Sequence, residues 1–481
     1  MNVILFMADQ MRGDCMGCMG NDAIKTPHLD MLAAQGTLFT RAYTPSASCV
    51  PARACLLTGM DPWHTGILGM GSGMKPISDR YEHTLPGELS AAGYHTCAVG
   101  KNHFTPQRAL NGYHATILDE STRQIDRGFV SDYVEWYGKQ TGDPDGFWDT
   151  GLNWNGWLGR PFHADETLHP THWTADRAIE FLKKRDPGKP FFLKCSFARP
   201  HSPYDAPQVY YDMYKDRELP APYVGDWSDC NDVPYDALQV NAWRGRQKPE
   251  DIHTARALYY GNVTFIDHSI GRVLNQLTKL GLYNDTMIIF TSDHGDMLGD
   301  HHLWRKTYGY EGSSHIPMLI KPALGQGLPM QKCDRVVTLS DIMPTVLDAA
   351  GVTIPNTCDG ASMMPLVRGE DADWRETVIC EHCACYSPEQ ENVFVTDGHH
   401  KLIFFPLDGS LQLFDLDHDP GECKNALDDP DYRAIRDKLT EKLIGEFTMR
   451  GWPVTDGERL LAKPQGMVLT SPHAGIYGVK Q

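Results

Sequence analysis

Short apolar runs alternate along this chain with segments of helical period. Residues 2–7 (NVILFM) are apolar from Val3 onward, the mark of a strand buried on both faces. Residues 26–35 follow as a helix with Pro27 in the first turn, where a missing N–H breaks no bond. Residues 174–185 place Ala178, Ile179 and Leu182 on one face, and Pro187-Gly188 stops that helix. Residues 191–197 (FFLKCSF) predict the next strand, residues 252–280 a long helix ended by Gly281, and residues 286–291 (TMIIFT) another strand. Strands alternating with helices imply an α/β sheet. Asp9-Gln10 follows the first strand and Ser292-Asp293-His294-Gly295 follows the last of these. Open α/β sheets build their sites at such carboxyl ends.

The pattern changes at residues 355–373. Beyond them, residues 377–380, 392–396, 401–405 and 411–416 read as short strands, with turns at Gly398 and Asp408-Gly409. They predict a small antiparallel sheet, and residues 431–449 a helix packed with it. The expected division is a catalytic domain over residues 1–365 and a C-terminal subdomain over residues 366–481. Residues 136–157 have no clear period and hold Trp136, Trp148, Trp154 and Trp157 among Gly, Asn and Asp. Such a stretch reads as a long ordered loop. Packing of its tryptophans against the domain is the first expectation, and stacking on a sugar ring the second.

Composition narrows the function classes. The 481 residues are about three times the ~150 of a typical domain, and 41% are apolar, enough for a sizeable core. Lys and Arg total 44 against 62 Asp and Glu, a net charge of −18. That balance argues against non-specific nucleic-acid binding and against docking on anionic membranes. An anionic substrate would need a local cationic pocket working against the global field. The apolar run over residues 3–8 is too short for a membrane span or a signal-peptide core, and no basic segment precedes it. The expected location is cytoplasmic, or periplasmic or secreted where a signal has been removed. Thirteen cysteines, an odd number in a long chain, fit reduced thiols better than a disulfide framework.

Candidate chemistry begins at the strand exits. Asp9 and Gln10 supply hard oxygen donors, and Asp293 with His294 supplies a second plausible pair of metal ligands. Each pair taken singly also fits an ordinary polar turn or cap. A third segment, Ser48-Cys49-Val50-Pro51-Ala52-Arg53-Ala54-Cys55-Leu56-Leu57-Thr58-Gly59, is far more particular, with Cys followed by Pro at two and Arg at four. Gly100-Lys101-Asn102-His103, Pro200-His201-Ser202-Pro203-Tyr204 and Asp293-His294-Gly295 through Leu303-Trp304-Arg305-Lys306 follow in order. Glu311-Gly312-Ser313 and the segment Leu413-Phe414-Asp415-Leu416 with Asp419-Pro420-Gly421-Glu422 complete the series. Several motifs in one order weigh more than any one alone.

This series resembles the type I, formylglycine-dependent sulfatases of the alkaline-phosphatase-like superfamily, over nearly the whole chain. The resemblance implies a mixed α/β sheet sandwiched by helices, with a smaller C-terminal antiparallel-sheet subdomain. It implies that Cys49 is converted to formylglycine by a formylglycine-generating maturase. It also implies a divalent ion held by Asp9, Gln10, Cys49, Asp293 and His294. Oxygen ligands suit Ca²⁺, while the imidazole of His294 admits Mn²⁺, Mg²⁺ or Zn²⁺. The resemblance assigns Arg53 to charge balance at the formylglycine, Lys101 and His103 to its second hydroxyl, His201 to the bridging oxygen as general acid, and Lys306 to the sulfate oxygens. Lys101, His201 and Lys306 thereby also contact substrate, and His302 is placed close enough in sequence to face it.

The chemistry asks for these groups. A sulfate monoester is an anion, so charge on its non-bridging oxygens must be neutralised as attack proceeds. One hydroxyl of a hydrated aldehyde attacks sulfur to give a covalent sulfo-enzyme; loss of a proton from the other re-forms the carbonyl and expels sulfate. The expected function is therefore hydrolysis of a sulfate ester, of a small sulfated carbohydrate. The local motifs also resemble enzymes that remove 2-O-sulfate from unsaturated uronates of glycosaminoglycan oligosaccharides. The metal pairs read Asp-Gln and Asp-His where the family more often has Asp-Asp and Asp-Asn. Related phosphonate monoester hydrolases share that departure, so phosphonate or phosphate ester hydrolysis is the alternative. A non-catalytic sulfate-sugar binder retaining a Cys49 thiol is a third reading. Cys15-x-x-Cys18 lacks a partner pair at zinc spacing, and Cys380 to Cys385 reads as buried strand thiols before a structural metal. His301-His302 and His399-His400 read as loop and turn residues.

Overall fold

The computed structural model describes residues 1–70, 77, 81–121, 123–153, 155–233, 243–323, 328–383 and 387–473. Ten described strands precede the composition change: β1 (Asn2–Asp9), β2 (Thr37–Phe39), β3 (Ala42–Tyr43), β4 (His95–Gly100), β5 (Ala115–Leu118), β6 (Phe191–Pro200), β7 (Thr286–Ser292), β8 (Met318–Lys321), β9 (Gln331–Cys333) and β10 (Val337–Thr338). Eight of them form one mixed sheet in the order β5-β4-β6-β1-β7-β8-β2-β9. The first five in that order run parallel, and β8 runs antiparallel to both its neighbours. β3 pairs in parallel with β10 (Val337–Thr338).

The unbroken apolar run of β1 has a simple cause. Ile4, Phe6 and Ala8 enter one core, and Val3, Leu5 and Met7 enter another on the opposite face. The first core is closed by the helices Pro27–Ala33, Pro170–Lys184 and Pro249–Lys279, through residues such as Leu29, Ala178 and Leu258. The second is closed by Cys49–Thr58, Leu85–Ala91 and Ile342–Ala350, through Leu56, Leu89 and Met343. A strand covered on both faces gains from apolar residues at every position.

The C-terminal sheet is antiparallel, in the order β11 (Val378–His382), β12 (Asn392–Thr396), β13 (His400–Phe405), β14 (Ser410–Asp415). Leu439, Leu443 and Phe447 of the helix Arg433–Arg450 cover one face, against Val393, Val395, Leu402 and Leu413. The other face, with Phe394, Ile403 and Phe414, packs on Tyr43, Met297, Tyr308 and Tyr310. Buried Lys401 bridges this contact, reaching Glu311 and Glu422.

Boundaries differ from expectation where tertiary contacts extend an element. β1 and β6 run on to Asp9 and Pro200, because their ends pair with each other across a bulge at Ala8/Asp9. The helix expected from residue 174 starts at Pro170, where His169 caps it by accepting from the Thr171 N–H. Polar residues 170–172 carry no apolar period, so only the cap marks this start. His400 opens β13 instead of lying in the turn. Cys380 lies buried in β11 and buried Cys383 follows it; Cys385 lies outside the described residues, as does Trp154. No two of the twelve described cysteines pair in a disulfide. Trp157 is buried against Trp304, and Trp136 packs on Tyr133 and Trp173. No helix among the described residues is long and apolar enough to cross a membrane.

Candidate active site

The carboxyl ends of β1, β4, β6 and β7 converge on one buried cluster. At the end of β1 the chain turns through Gln10, whose φ of 67° is left-handed, and the Asp9 carbonyl accepts from the His201 N–H at 2.9 Å. Asp9 and His201 are thus fixed side by side. After β7, Asp293 and His294 enter the same space, and the Gln10 N–H donates to Asp293 Oδ1 at 3.0 Å. Gly295 packs so tightly that a Cβ would strike the Gly312 carbonyl oxygen. Cys49 is the first residue of the helix Cys49–Thr58, so the positive end of that helix dipole points at the cluster.

Charge is densely paired here. Arg53 donates through Nε to Asp293 Oδ2 at 2.9 Å and through a terminal nitrogen to Asp9 Oδ2 at 3.1 Å. A second terminal nitrogen reaches the Lys101 carbonyl and Ser196 Oγ. Lys101 forms a short ion pair with Asp9. Cys49 Sγ lies 3.2 Å from His294 Nε2, 3.8 Å from Asp9 Oδ1 and 3.9 Å from Lys101 Nζ. Burial opposes ionisation of this thiol, as does Asp9, but Lys101, Lys306 and His294 outweigh them and bring it down to about 7. Burial also opposes ionisation of Asp9, yet Lys101 and the other cations nearby hold it well below the usual carboxylate range. His294 is pushed up: burial disfavours its charged form, but Asp293 and the Cys49 sulfur prevail.

On the far side of Cys49, Lys306 Nζ lies 2.6 Å from His201 Nε2 and donates to Gln10 Oε1 at 2.9 Å. His201 Nδ1 contacts the Ser202 carbonyl at 2.8 Å, which assigns the proton to Nδ1 and leaves Nε2 to accept from Lys306. Burial, reinforced by Lys306 and Lys101, holds His201 well below the normal imidazole range. His103 is likewise depressed, by burial and then by Arg123 and Lys101. Its Nδ1 is buried with no hydrogen-bond partner, which leaves that atom free for an incoming group.

Several supporting residues went unnoticed in the sequence. Glu120 Oε1 accepts from the N–H groups of both Asn102 and His103, at 2.8 and 2.9 Å, and fixes His103 at a φ of 64°. Lys194 Nζ holds Asn102 Oδ1 at 2.9 Å, and burial takes this ammonium down to about 7. Asp296 accepts from Gln10 Nε2 and from the Tyr204 hydroxyl, both at 2.6 Å. The C-terminal sheet contributes as well. His382 of β11 lies 2.7 Å from Ser48 Oγ, and Asn392 of β12 donates to the Thr307 carbonyl at 2.7 Å. Strand-exit position marks Glu120 and Asp296; nothing local marks Lys194, His382 or Asn392.

The structure brings together Asp9, Gln10, Cys49, Arg53, Lys101, His201, Asp293, His294 and Lys306. His103 joins them from the turn after β4, its charge environment set by Lys101, Arg53 and Asp9. His302 Nε2 lies 3.3 Å from Arg246, and the residue lines a groove with Pro222, Val224 and Ile252.

The donor set fits a divalent cation. One ligand atom each from Asp9, Cys49, Asp293 and His294 lies within 4.8 Å of the others, all buried. His294 Nδ1 contacts the Gly295 carbonyl at 2.9 Å, which turns the Nε2 lone pair inward as a metal-bound imidazole requires. The Gln10 carboxamide accepts from Lys306 through Oε1 and donates to Asp296 through Nε2.

Comparison with known proteins gives one family. The family model described as Sulfatase matches residues 1–352, and that described as N-sulphoglucosamine sulphohydrolase, C-terminal, matches residues 299–448. The chain is 41% identical to an arylsulfatase of Clostridium perfringens, over 96% of this chain and 97% of that one. It is 25% identical to an N-acetylglucosamine-6-O-sulfatase of Bacteroides thetaiotaomicron, over 92% and 85% of the respective chains. Among solved structures, the phosphonate monoester hydrolase of Agrobacterium radiobacter superposes with a TM-score of 0.75 at 25% identity, over 96% of this chain and 100% of that one.

Proposed function

The chain belongs to the sulfatase family and is a sulfuric ester hydrolase with an alkaline-phosphatase-like fold, and on that premise we propose that it removes sulfate from a sulfated carbohydrate with formylglycine at position 49. The observation that carries the reading is the seat of the Cys49 side chain, 3.2 Å from His294 and 3.9 Å from Lys101, at a helix N-terminus and among Arg53, Lys101 and Lys306. Such a seat is built for a reacting group beside an anion. Formylglycine would supply a pair of hydroxyls, one to attack sulfur and one to free the product; a divalent ion on Asp9, Gln10, Asp293 and His294 would screen the sulfate charge. Ca²⁺ suits the oxygen donors best, with Mn²⁺, Mg²⁺ and Zn²⁺ as alternatives. The reading requires a formylglycine-generating maturase as partner.

The remaining roles belong to this chain's own side chains. Arg53 holds both aspartates ionised and in place. Lys306 binds the non-bridging oxygens, and Lys101 sits with His103 at the second hydroxyl. His103, neutral and with an open ring nitrogen, takes the proton when the product leaves. His201 and Lys306 deliver a proton to the departing alcohol. The sulfated-sugar substrate is supported by the N-acetylglucosamine-6-O-sulfatase relative. Hydrolysis of phosphonate esters is the second reading, favoured by the Asp-Gln and Asp-His pairs and by the phosphonate monoester hydrolase neighbour.

The test is a panel of defined sulfated mono- and disaccharides, with nitrophenyl sulfate and phenyl phosphonate alongside, reading free sulfate or phenol. The enzyme is co-expressed with the maturase, and the Cys49 peptide is weighed by mass spectrometry. The expectation is sulfate release from a sugar, lost in Cys49→Ala. Enzyme carrying formylglycine that turns over the phosphonate alone would move the conclusion to the second reading.

A further inference from the structure

The Trp-rich stretch expected as a loop opens in the helix Asp132–Thr141, which carries half-buried Trp136, and runs on through a 3₁₀ turn to buried Trp157. Trp136 and Trp157 pack inward, whereas Trp148 is 47% exposed, the sole exposed tryptophan among the described residues. Its exposure is not slack. It sits on the short 3₁₀ turn Gly146–Thr150. His163 Nε2 bonds the Gly146 carbonyl at 2.9 Å, and Arg160 donates to the Thr150 carbonyl at 3.2 Å. Phe147 plunges into a cluster with Tyr133, Tyr137 and Trp173. With Phe147 anchored inward, its neighbour is held outward in one place. A large apolar ring kept exposed on a fixed turn is suited to contact with a ligand.

Trp148 lines a cavity of about 190 Å³ with Ser121, Asn153, Arg199 and Pro203. Two of these walls tie the cavity to the active site. Ser121 adjoins Glu120, whose carboxylate fixes the His103 turn. Arg199 and Pro203 bracket His201, the residue assigned to the bridging oxygen. The cavity therefore lies at the carboxyl ends of β5 and β6, beside the turns that carry His103 and His201. Drug-sized ligands occupy about 300–1,000 Å³, so this space takes a single ring and not an extended chain. Arg199 is held rigid by both oxygens of Asp205, at 2.6 and 2.7 Å, and gives the cavity a fixed polar wall.

We propose that this cavity seats a pyranose ring of the alcohol half of the substrate, with one face on Trp148 and hydroxyl groups toward Asn153 and Arg199. The inference rests on the carbohydrate reading above and adds the place and the residue that select the ring. Trp148 is a specificity residue with no part in bond breaking.

The test uses the full-length, formylglycine-bearing enzyme and whichever sulfated monosaccharide it hydrolyses. Trp148→Ala is expected to raise KM for that sugar about tenfold, the size of one aromatic contact. The inhibition constant of inorganic sulfate, which reports the anion pocket alone, stays within twofold, and this also shows the variant folded. Trp148→Phe restores most of the loss. An unchanged KM in Trp148→Ala overturns the subsite while leaving the carbohydrate reading intact, as does a sulfate inhibition constant that rises in step with KM. A parent enzyme that cleaves nitrophenyl sulfate but no sugar sulfate overturns both.

Discussion

The contact between Lys306 and His201 makes a sharp kinetic prediction. Both side chains are buried, their nitrogens are 2.6 Å apart, and His201 spends its Nδ1 proton on the Ser202 carbonyl. A neutral imidazole in that tautomer has no proton at Nε2 to give. The proton for the leaving oxygen must start on Lys306 and pass to, or be steered by, His201. The two residues then act as one acid. General acid catalysis contributes about 10²- to 10⁴-fold, or roughly 3–5 kcal/mol, and the whole of it is lost when either partner goes. His201→Ala is therefore expected to lower kcat/KM on a sugar sulfate by about 10³-fold, but on nitrophenyl sulfate, whose leaving group departs as an anion, by less than about tenfold. Lys306→Ala also removes a charged hydrogen bond to the sulfate, worth about 1.5–3 kcal/mol. It should thus cost roughly 10- to 100-fold on the aryl ester too. On the sugar sulfate the double variant should be no worse than Lys306→Ala within about threefold. Steady-state kinetics of the three variants on both substrates decide it. Equal losses of His201→Ala on the two esters, or a double variant whose loss multiplies the singles, would refute the shared acid.

Glu120→Ala leaves the Asn102 and His103 N–H groups without their common acceptor, so kcat should fall at least tenfold while Glu120→Gln, which keeps an acceptor oxygen, retains most activity; an alanine variant with full kcat would show that the turn holds itself. Burial pushes the Glu422 carboxyl up to about 7, with Glu311 adding to the shift and Lys401 opposing it. A carboxyl raised in the fold stabilises fully below its unfolded value near 4.3 and loses that contribution as pH rises through 7, so Glu422→Gln should flatten the fall in denaturant midpoint between pH 5 and 7, and an unchanged slope in the variant counts against the assignment.

Parts of this molecule were legible because their cause is local. β1 could be read from residues 2–7 since a strand covered by helices on both faces needs apolar side chains at every position. β12 lies at residues 392–396, where the sequence predicts it, because polar turn residues bracket it. The candidate ligands at strand exits were legible for a topological reason: whatever follows a parallel strand emerges at the site. What escaped reading depends on residues far apart in sequence. Asp296 matters because Gln10 and Tyr204, 286 and 92 positions away, both need an acceptor. The early start of the helix Pro170–Lys184 rests on a histidine cap, a weaker signal than an apolar stripe. His302 lies close to Lys306 in sequence, with buried Trp304 and left-handed Arg305 between them, and its ring meets Arg246.

The C-terminal sheet does more than its sequence signals. Sequence composition treats it as an appendage, because its strands are short, its turns polar and its start marked by a change of pattern. In the fold, one face of this sheet buries its own helix and the other buries the aromatic loop that follows Lys306. From that second face Asn392 grips the Thr307 carbonyl, Gln390 donates to Thr307 Oγ1, and His382 meets Ser48 beside Cys49. Thr307 itself has a left-handed φ of 91° and Arg305 one of 69°, conformations that non-glycine residues hold only when their surroundings enforce them. The Lys306 backbone is therefore not stable in its working shape by local preference. It is held there by a sheet that begins some 70 residues later. The same holds for the ion cluster of Lys401, Glu311 and Glu422, which fastens that sheet with charges too deeply buried to be satisfied by water. Lys306 and Cys49 are positioned from both parts of the chain, so the candidate site belongs to their junction as much as to the large sheet.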